Sequence, residues 1–247
     1  MKKNKYIILS AVILLSGFVA GVLGHFYKTK PNVSASVPAA INETQWQERH
    51  RIKIQEMEQG TNEMLLIGDS IMYGWETHKD ICEKYFGTWT PLNLGFYGDQ
   101  TQNVLWRLNN MPLHKVKPKY AVVLIGTNNV GWTNSMSPEN TAEGIRAIVK
   151  ILHDACPQMR IIVLKIFPRS RHFGFLQKRI DRLNKILPSV LHGMENVTVT
   201  DINSGFLNTD GSLKKEFFAD PIHLNSAGYD YWGRAMQREL RQHEDAK

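Results

Sequence analysis

Cysteine is scarce, with two residues in 247, and Cys82 and Cys156 form no Cys-x-x-Cys pair. Either one disulfide joins them or they are separate core thiols, since a buried Cys behaves as a small hydrophobe. The nine histidines lack metal-ligand spacing, so no zinc site is expected. The Gly-x-Ser-x-Gly elbow of α/β-hydrolases occurs nowhere in the chain. Acidic residues are missing from the first thirty positions, where Lys2, Lys3, Lys5, Lys28 and Lys30 carry five of the seven net positive charges. The remainder is only about +2, which excludes the dense basic footprint of a nucleic-acid binder. With 43% hydrophobic and 21% charged residues, the composition is that of a packed domain and not of a disordered chain.

The basic N-terminus reads as a targeting element. Lys2, Lys3 and Lys5 precede an uncharged, mostly apolar run from Ile7 to Leu23. Its length lies between the ~7–15 residues of a cleaved signal and the ~20 of a spanning helix. Residues 1–27 are therefore expected to be a signal anchor or a signal peptide. The small residues Ser34-Ala35-Ser36 offer a cleavage site well beyond the run, and the absence of a following Cys argues against a lipoprotein anchor. The lysines favour an N-terminus inside and a domain outside the cytoplasmic membrane. Residues 28–45, with Pro31, Pro38 and several Ser and Ala, have the composition of a linker. On that reading residues 46–247 form the domain, and a chain starting near Asn42 is expected to be soluble and competent.

From residue 45 onward, strand and helix patterns alternate. Short apolar runs predict strands over Met64–Ile67, Pro91–Leu94, Tyr120–Ile125, Arg160–Ile166 and Val197–Ile202. Between them, helical patterns cover Gln45–Gln59, Gln102–Asn110, Pro138 to about Asp154, Phe173–Val190 and Ala227–Arg241. Buried strands separated by helices imply a three-layer α/β/α sandwich around a central, mostly parallel five-stranded sheet. In such sheets chemistry sits beyond the carboxyl ends of the strands.

The unusual residues fall at those ends. Gly68-Asp69-Ser70 follows the first strand, and alone it is ordinary turn and capping chemistry. A loop with Gly95 and Gly98 follows the second, and Gly126-Thr127-Asn128-Asn129 follows the third. Asp220-Pro221-Ile222-His223 precedes the last helix. Ester hydrolysis needs an activated hydroxyl, a base, a group to orient that base, and donors for the oxyanion. All four kinds of group occur, each in a loop that this fold would gather to one edge.

Gly68-Asp69-Ser70, Gly98, Gly126-Thr127-Asn128 and Asp220-x-x-His223 resemble blocks I, II, III and V of the SGNH (GDSL-like) hydrolases, in order. The stretch Asn93-Leu94-Gly95-Phe96-Tyr97-Gly98-Asp99, followed by Val104-Leu105-Trp106-Arg107-Leu108, resembles the platelet-activating-factor acetylhydrolase branch and its bacterial relatives. The likeness covers roughly residues 60–242. It implies Ser70 as nucleophile, His223 as base and Asp220 as its orienter. It also implies an oxyanion hole made of the Ser70 and Gly98 N–H groups and the Asn128 side chain, with no metal or organic cofactor. Asn129 stands where many relatives have Asp and receives no role. The branch points to short acyl groups, acetyl above all, and the extracytoplasmic address points to acetylated glycans of the cell envelope. The rivals are a lysophospholipase or thioesterase for longer chains, and an anchored glycan-binding module without turnover.

Overall fold

Three stretches dense in Leu, Ile and Val have no polar face to offer water, so they form the centre of a sheet covered on both sides, with two more mixed stretches pairing at its edges. The five are β1 (Met64–Gly68), β2 (Pro91–Gly95), β3 (Tyr120–Leu124), β4 (Arg160–Leu164) and β5 (Val197–Thr200). All neighbours run parallel, in the order β2-β1-β3-β4-β5. Every residue of β1 and β3 is buried, whereas the edge strand β5 is only half-buried. Each fully buried Leu or Ile contributes about 1.5–3 kcal/mol. The computed structural model describes residues 34–131, 136–169 and 174–244, with side chains to Arg241.

The helices are α1 (Thr44–Gln59), α2 (Ser70–Tyr73), α3 (Lys79–Phe86), α4 (Thr101–Asn109), α5 (Thr127–Val130), α6 (Pro138–Ala155), α7 (Gly174–Val190) and α8 (Ser226–Glu244). Helix α4 packs on α6 and α6 on α7, while α3 packs on α8. Sequence patterning located all five strands and the five long helices to within a few residues. It missed α3, whose two turns between Gly74 and Gly87 are too short to display a period. Helix α6 opens as expected, with the Ser137 hydroxyl accepting the Asn140 N–H and Pro138 in the first turn.

Of the two readings for the cysteines the structure shows the second, while the end of the expected linker departs from expectation. Cys82 and Cys156 are separate free thiols packed against the core, and burial pushes the Cys82 thiol up to about 12. The end of the expected linker is no free tether. Ala35 is fully buried; its carbonyl accepts the Thr101 hydroxyl at 2.8 Å and its N–H donates to Asn140 Oδ1 at 3.0 Å. Further on, the Ala39 N–H donates to the Gln102 carbonyl at 2.9 Å, and its carbonyl accepts from Asn103 at 2.9 Å. Small side chains, which suggested flexibility, are what let this strap lie flat across α4 and α6. Among the described residues no helix is long and apolar enough to cross a membrane, and Ile7–Leu23 lies outside them.

Candidate active site

Strand β1 ends at a glycine because a side chain there would meet the Leu124 carbonyl at 2.3 Å. Asp69 then caps α2, its Oδ1 accepting the Ile71 N–H at 2.9 Å. Ser70 is the first residue of α2, so its own N–H has no intrahelical partner. Its hydroxyl lies 2.9 Å from His223 Nε2, and His223 Nδ1 lies 2.7 Å from Asp220 Oδ2. Asp220 Oδ1 accepts the Ile222 and His223 N–H groups at 2.7 and 2.8 Å. Partial burial works against the Asp220 charge, but the backbone and ring hydrogen bonds of His223 outweigh it and hold the carboxyl below its ordinary value. An ionised Asp220 fixes the proton on Nδ1 and leaves the Nε2 lone pair for the serine hydroxyl.

A small antiparallel bend holds the Asp-His pair. The Ala219 N–H donates to the His223 carbonyl at 2.8 Å, and the Asn225 N–H to the Phe217 carbonyl at 3.0 Å. Asn225 Oδ1 accepts the Gly228 N–H at 3.1 Å at the head of α8. From α8 the buried Tyr229 hydroxyl donates to the Ile71 carbonyl at 2.7 Å. The segment carrying His223 is thereby tied to the helix carrying Ser70.

The other candidates follow β2 and β3, Gly98 in a loop and Asn128 in α5. Gly98 is exposed with φ +72°, a left-handed conformation that strains any residue with a Cβ. Asn128 donates one amide hydrogen to the Asp99 carbonyl at 2.9 Å, which leaves the second for an oxyanion. In return Gln100 Nε2 donates to the Asn128 carbonyl at 3.0 Å. Asn129 is wholly buried; its Oδ1 accepts the Thr101 N–H, and its Nδ2 donates to the Thr101 hydroxyl, both at 3.0 Å. Although it received no role from sequence, Asn129 joins the two loops to each other.

Asp99 and Arg107, named in the sequence without a role, and Trp46 and Arg169, not singled out there, hold the surrounding structure. Asp99 and Arg107 form a fully buried ion pair, with Arg107 Nη2 2.8 Å and Nε 2.9 Å from Asp99 Oδ2. Trp46 Nε1 donates to the other oxygen at 2.7 Å. Burial pushes Asp99 up against the pull of that guanidinium. The signal was a lone Arg on the apolar face Val104-Leu105-Leu108, which only a buried acid would justify. Arg169, also buried, donates to the Thr127 hydroxyl and carbonyl and to the Gly131 carbonyl, bracketing α5. Among the described residues no cluster of His, Cys, Asp or Glu is arranged to hold a metal ion.

Residues 66–231 match the GDSL-like Lipase/Acylhydrolase family. The platelet-activating factor acetylhydrolase IB subunit alpha1 of Pongo abelii is 34% identical over 211 residues, 83% of this chain and 89% of that protein. Among solved structures, a GDSL-like lipase from Bacteroides thetaiotaomicron superposes with a TM-score of 0.67 at 17% identity, covering 79% of this chain and 97% of the other. A carbohydrate esterase family 3 protein from Talaromyces cellulolyticus gives 0.56 at 17% identity, over 75% and 99%. These two share the fold. The sequence matches, over a domain that gathers serine, histidine and aspartate on one sheet edge, place this chain in the GDSL-like lipase/acylhydrolase family.

Proposed function

We propose that the protein is an extracytoplasmic serine esterase that removes short acyl groups, acetyl above all, from envelope glycans. The observation that carries this reading is the unbroken Asp220–His223–Ser70 line, with links of 2.7 and 2.9 Å. In the proposed cycle His223 takes the Ser70 proton as the oxygen attacks the ester carbonyl. The Ser70 and Gly98 N–H groups and the free Asn128 amide hydrogen receive the oxyanion. His223 then protonates the departing alcohol, and water repeats the sequence to release the acid. The acetyl preference is supported by the acetylhydrolase at 34% identity. The address is supported by the basic, then apolar, stretch from Lys2 to Leu23; protease added to intact spheroplasts should digest the domain, and full protection would refute it.

A series of p-nitrophenyl esters from acetate to palmitate, with Ser70→Ala as control, tests the chemistry. Wild type should prefer acetate, and Ser70→Ala should fold normally without forming an acyl-enzyme. Near-normal turnover by Ser70→Ala would reject the nucleophile. A kcat/KM that climbs toward octanoate would instead indicate a lysophospholipase or thioesterase.

A further inference from the structure

The loop after β2 alternates sharply between buried and exposed side chains. Phe96 is wholly buried, Tyr97 is 62% exposed, Gly98 is left-handed and Asp99 is wholly buried. Both inward residues are clamped. The Phe96 ring has the Arg107 guanidinium 3.9 Å from its centroid, that of Arg49 at 4.9 Å, and the Trp46 ring edge-on at 5.5 Å. Asp99 is held by Arg107 and Trp46. With its neighbours fixed, Tyr97 has no route inward, and the fold leaves a large aromatic side chain in water.

That ring is not alone. It packs at 4.4 Å against Tyr73, the last residue of the helix that Ser70 opens. Tyr73 is supported in turn by Arg49, whose guanidinium lies 4.4 Å from its centroid. Arg49 is fixed by the Gly95 carbonyl at 2.9 Å and by Glu76 at 2.8 and 3.0 Å. The exposed Tyr97 ring therefore lies one residue before the candidate oxyanion donor Gly98, and the half-buried Tyr73 that backs it lies three residues after the candidate nucleophile Ser70 on the supporting helix. Ordered exposed apolar surface next to chemistry marks a ligand contact.

We infer that Tyr97, backed by Tyr73, is a stacking platform for a neutral sugar ring in the alcohol part of the ester. One face of a pyranose presents C–H groups that pack on an aromatic ring, while its hydroxyls stay available to the phenol and to water. The Arg49 guanidinium already occupies the electron-rich surface of Tyr73, which disfavours a cationic ligand on the pair. The inference rests on the glycan reading above and names the residue that would select the ring.

The experiment compares wild type, Tyr97→Phe and Tyr97→Ala by titrating acid release from three acetate esters. These are an O-acetylated methyl glycoside, acetylcholine, and ethyl acetate, which has no ring to stack. Tyr97→Ala should raise KM on the glycoside about tenfold, with kcat little changed, and Tyr97→Phe should stay within about threefold of wild type. Activity on ethyl acetate should be preserved in both variants. Equal loss on ethyl acetate and the glycoside would overturn the inference and make Tyr97 a support for the Gly98 turn. A selective loss on acetylcholine would overturn it in favour of a cation site. A wild type that cleaves ethyl acetate but no acetylated glycoside would defeat the glycan reading itself. A Tyr97→Ala protein that handles the glycoside normally would defeat only the platform.

Discussion

Asp69 provides a direct test of the electrostatics beside Ser70, the proposed nucleophile. Its carboxyl is fully buried, and only Oδ1 has a hydrogen-bond partner, leaving Oδ2 without one among the described residues. Burial above all, with the nearby Asp99 charge, pushes it up to about 7, against the pull of the Ile71 N–H and Arg169. An unfolded chain titrates the same group near pKa ~3.9. Between those values the native state holds a proton that the unfolded state has lost, so stability falls as pH rises and levels off above about 7. About three pKa units at about 1.4 kcal/mol each give roughly 4 kcal/mol over the whole range. His50 works in the opposite direction. Burial, and then Arg107, lowers its ring to about 4. An unfolded His takes a proton near ~6.5, so this residue makes stability rise with pH over the interval from about 4 to 6.5. In wild type the two slopes largely cancel there. Asp69→Asn keeps an acceptor for the Ile71 N–H and removes only the titration. Urea unfolding from about pH 4.5 to about pH 7.5 should show the variant gaining roughly 3 kcal/mol on wild type, because the other groups cancel in the difference. Parallel stability profiles would refute the argument and mean that the Asp69 carboxyl titrates normally.

Other expectations follow from single contacts. Asn128→Ala should lower kcat by about 10²–10³ with little change in KM, and an unchanged kcat with raised KM would make Asn128 an ordinary substrate contact. Arg107→Met should cost about 3–5 kcal/mol in denaturant unfolding at neutral pH, because Asp99 is left buried and unpaired; Asp99→Asn in the same background should recover part of that loss. A chain beginning at Ser34 should be soluble, whereas one beginning at Asn42 should be less stable by about 2–4 kcal/mol, the value of several hydrogen bonds to the strap. Identical unfolding midpoints for the two chains would show that the strap contributes nothing.

What the sequence disclosed depended on the range of the physics involved. Strands β1, β3 and β4 were legible because burial on both faces demands an unbroken apolar run. The candidate site residues were legible only as a set, since each of Gly, Ser and Asn alone serves turn chemistry and it is their joint occurrence with Asp220 and His223 that suits acyl transfer. What escaped was long-range. The Asp99–Arg107 pair left only half a signal, the Arg on the apolar face of α4, because an Asp after Gly reads as a turn and its need for a cation arises only on burial. Asn129 resembles an Asx turn until Thr101 is placed opposite it. The strap from Ser34 to Ala39 failed for a related reason: small polar residues suit a flexible tether and a tight docking equally, and only the groove between α4 and α6 decides. Helix α1 shows the same limit, since its buried stripe of Trp46, His50, Lys53 and Met57 is half polar and needs Glu76 and the α4 ring of Trp106 to make sense.

The hydrogen bond between Ser70 and His223 spans 153 residues of chain. A serine near the start of the domain thus waits for a base supplied near its end. Until the bend around Asp220 docks and Tyr229 reaches Ile71, residue 70 is an ordinary alcohol. Joining groups so far apart in sequence carries a closure entropy that only the packing of the finished domain offsets. On the mechanism proposed above, a nascent or C-terminally clipped chain would carry Ser70 without its His223 partner.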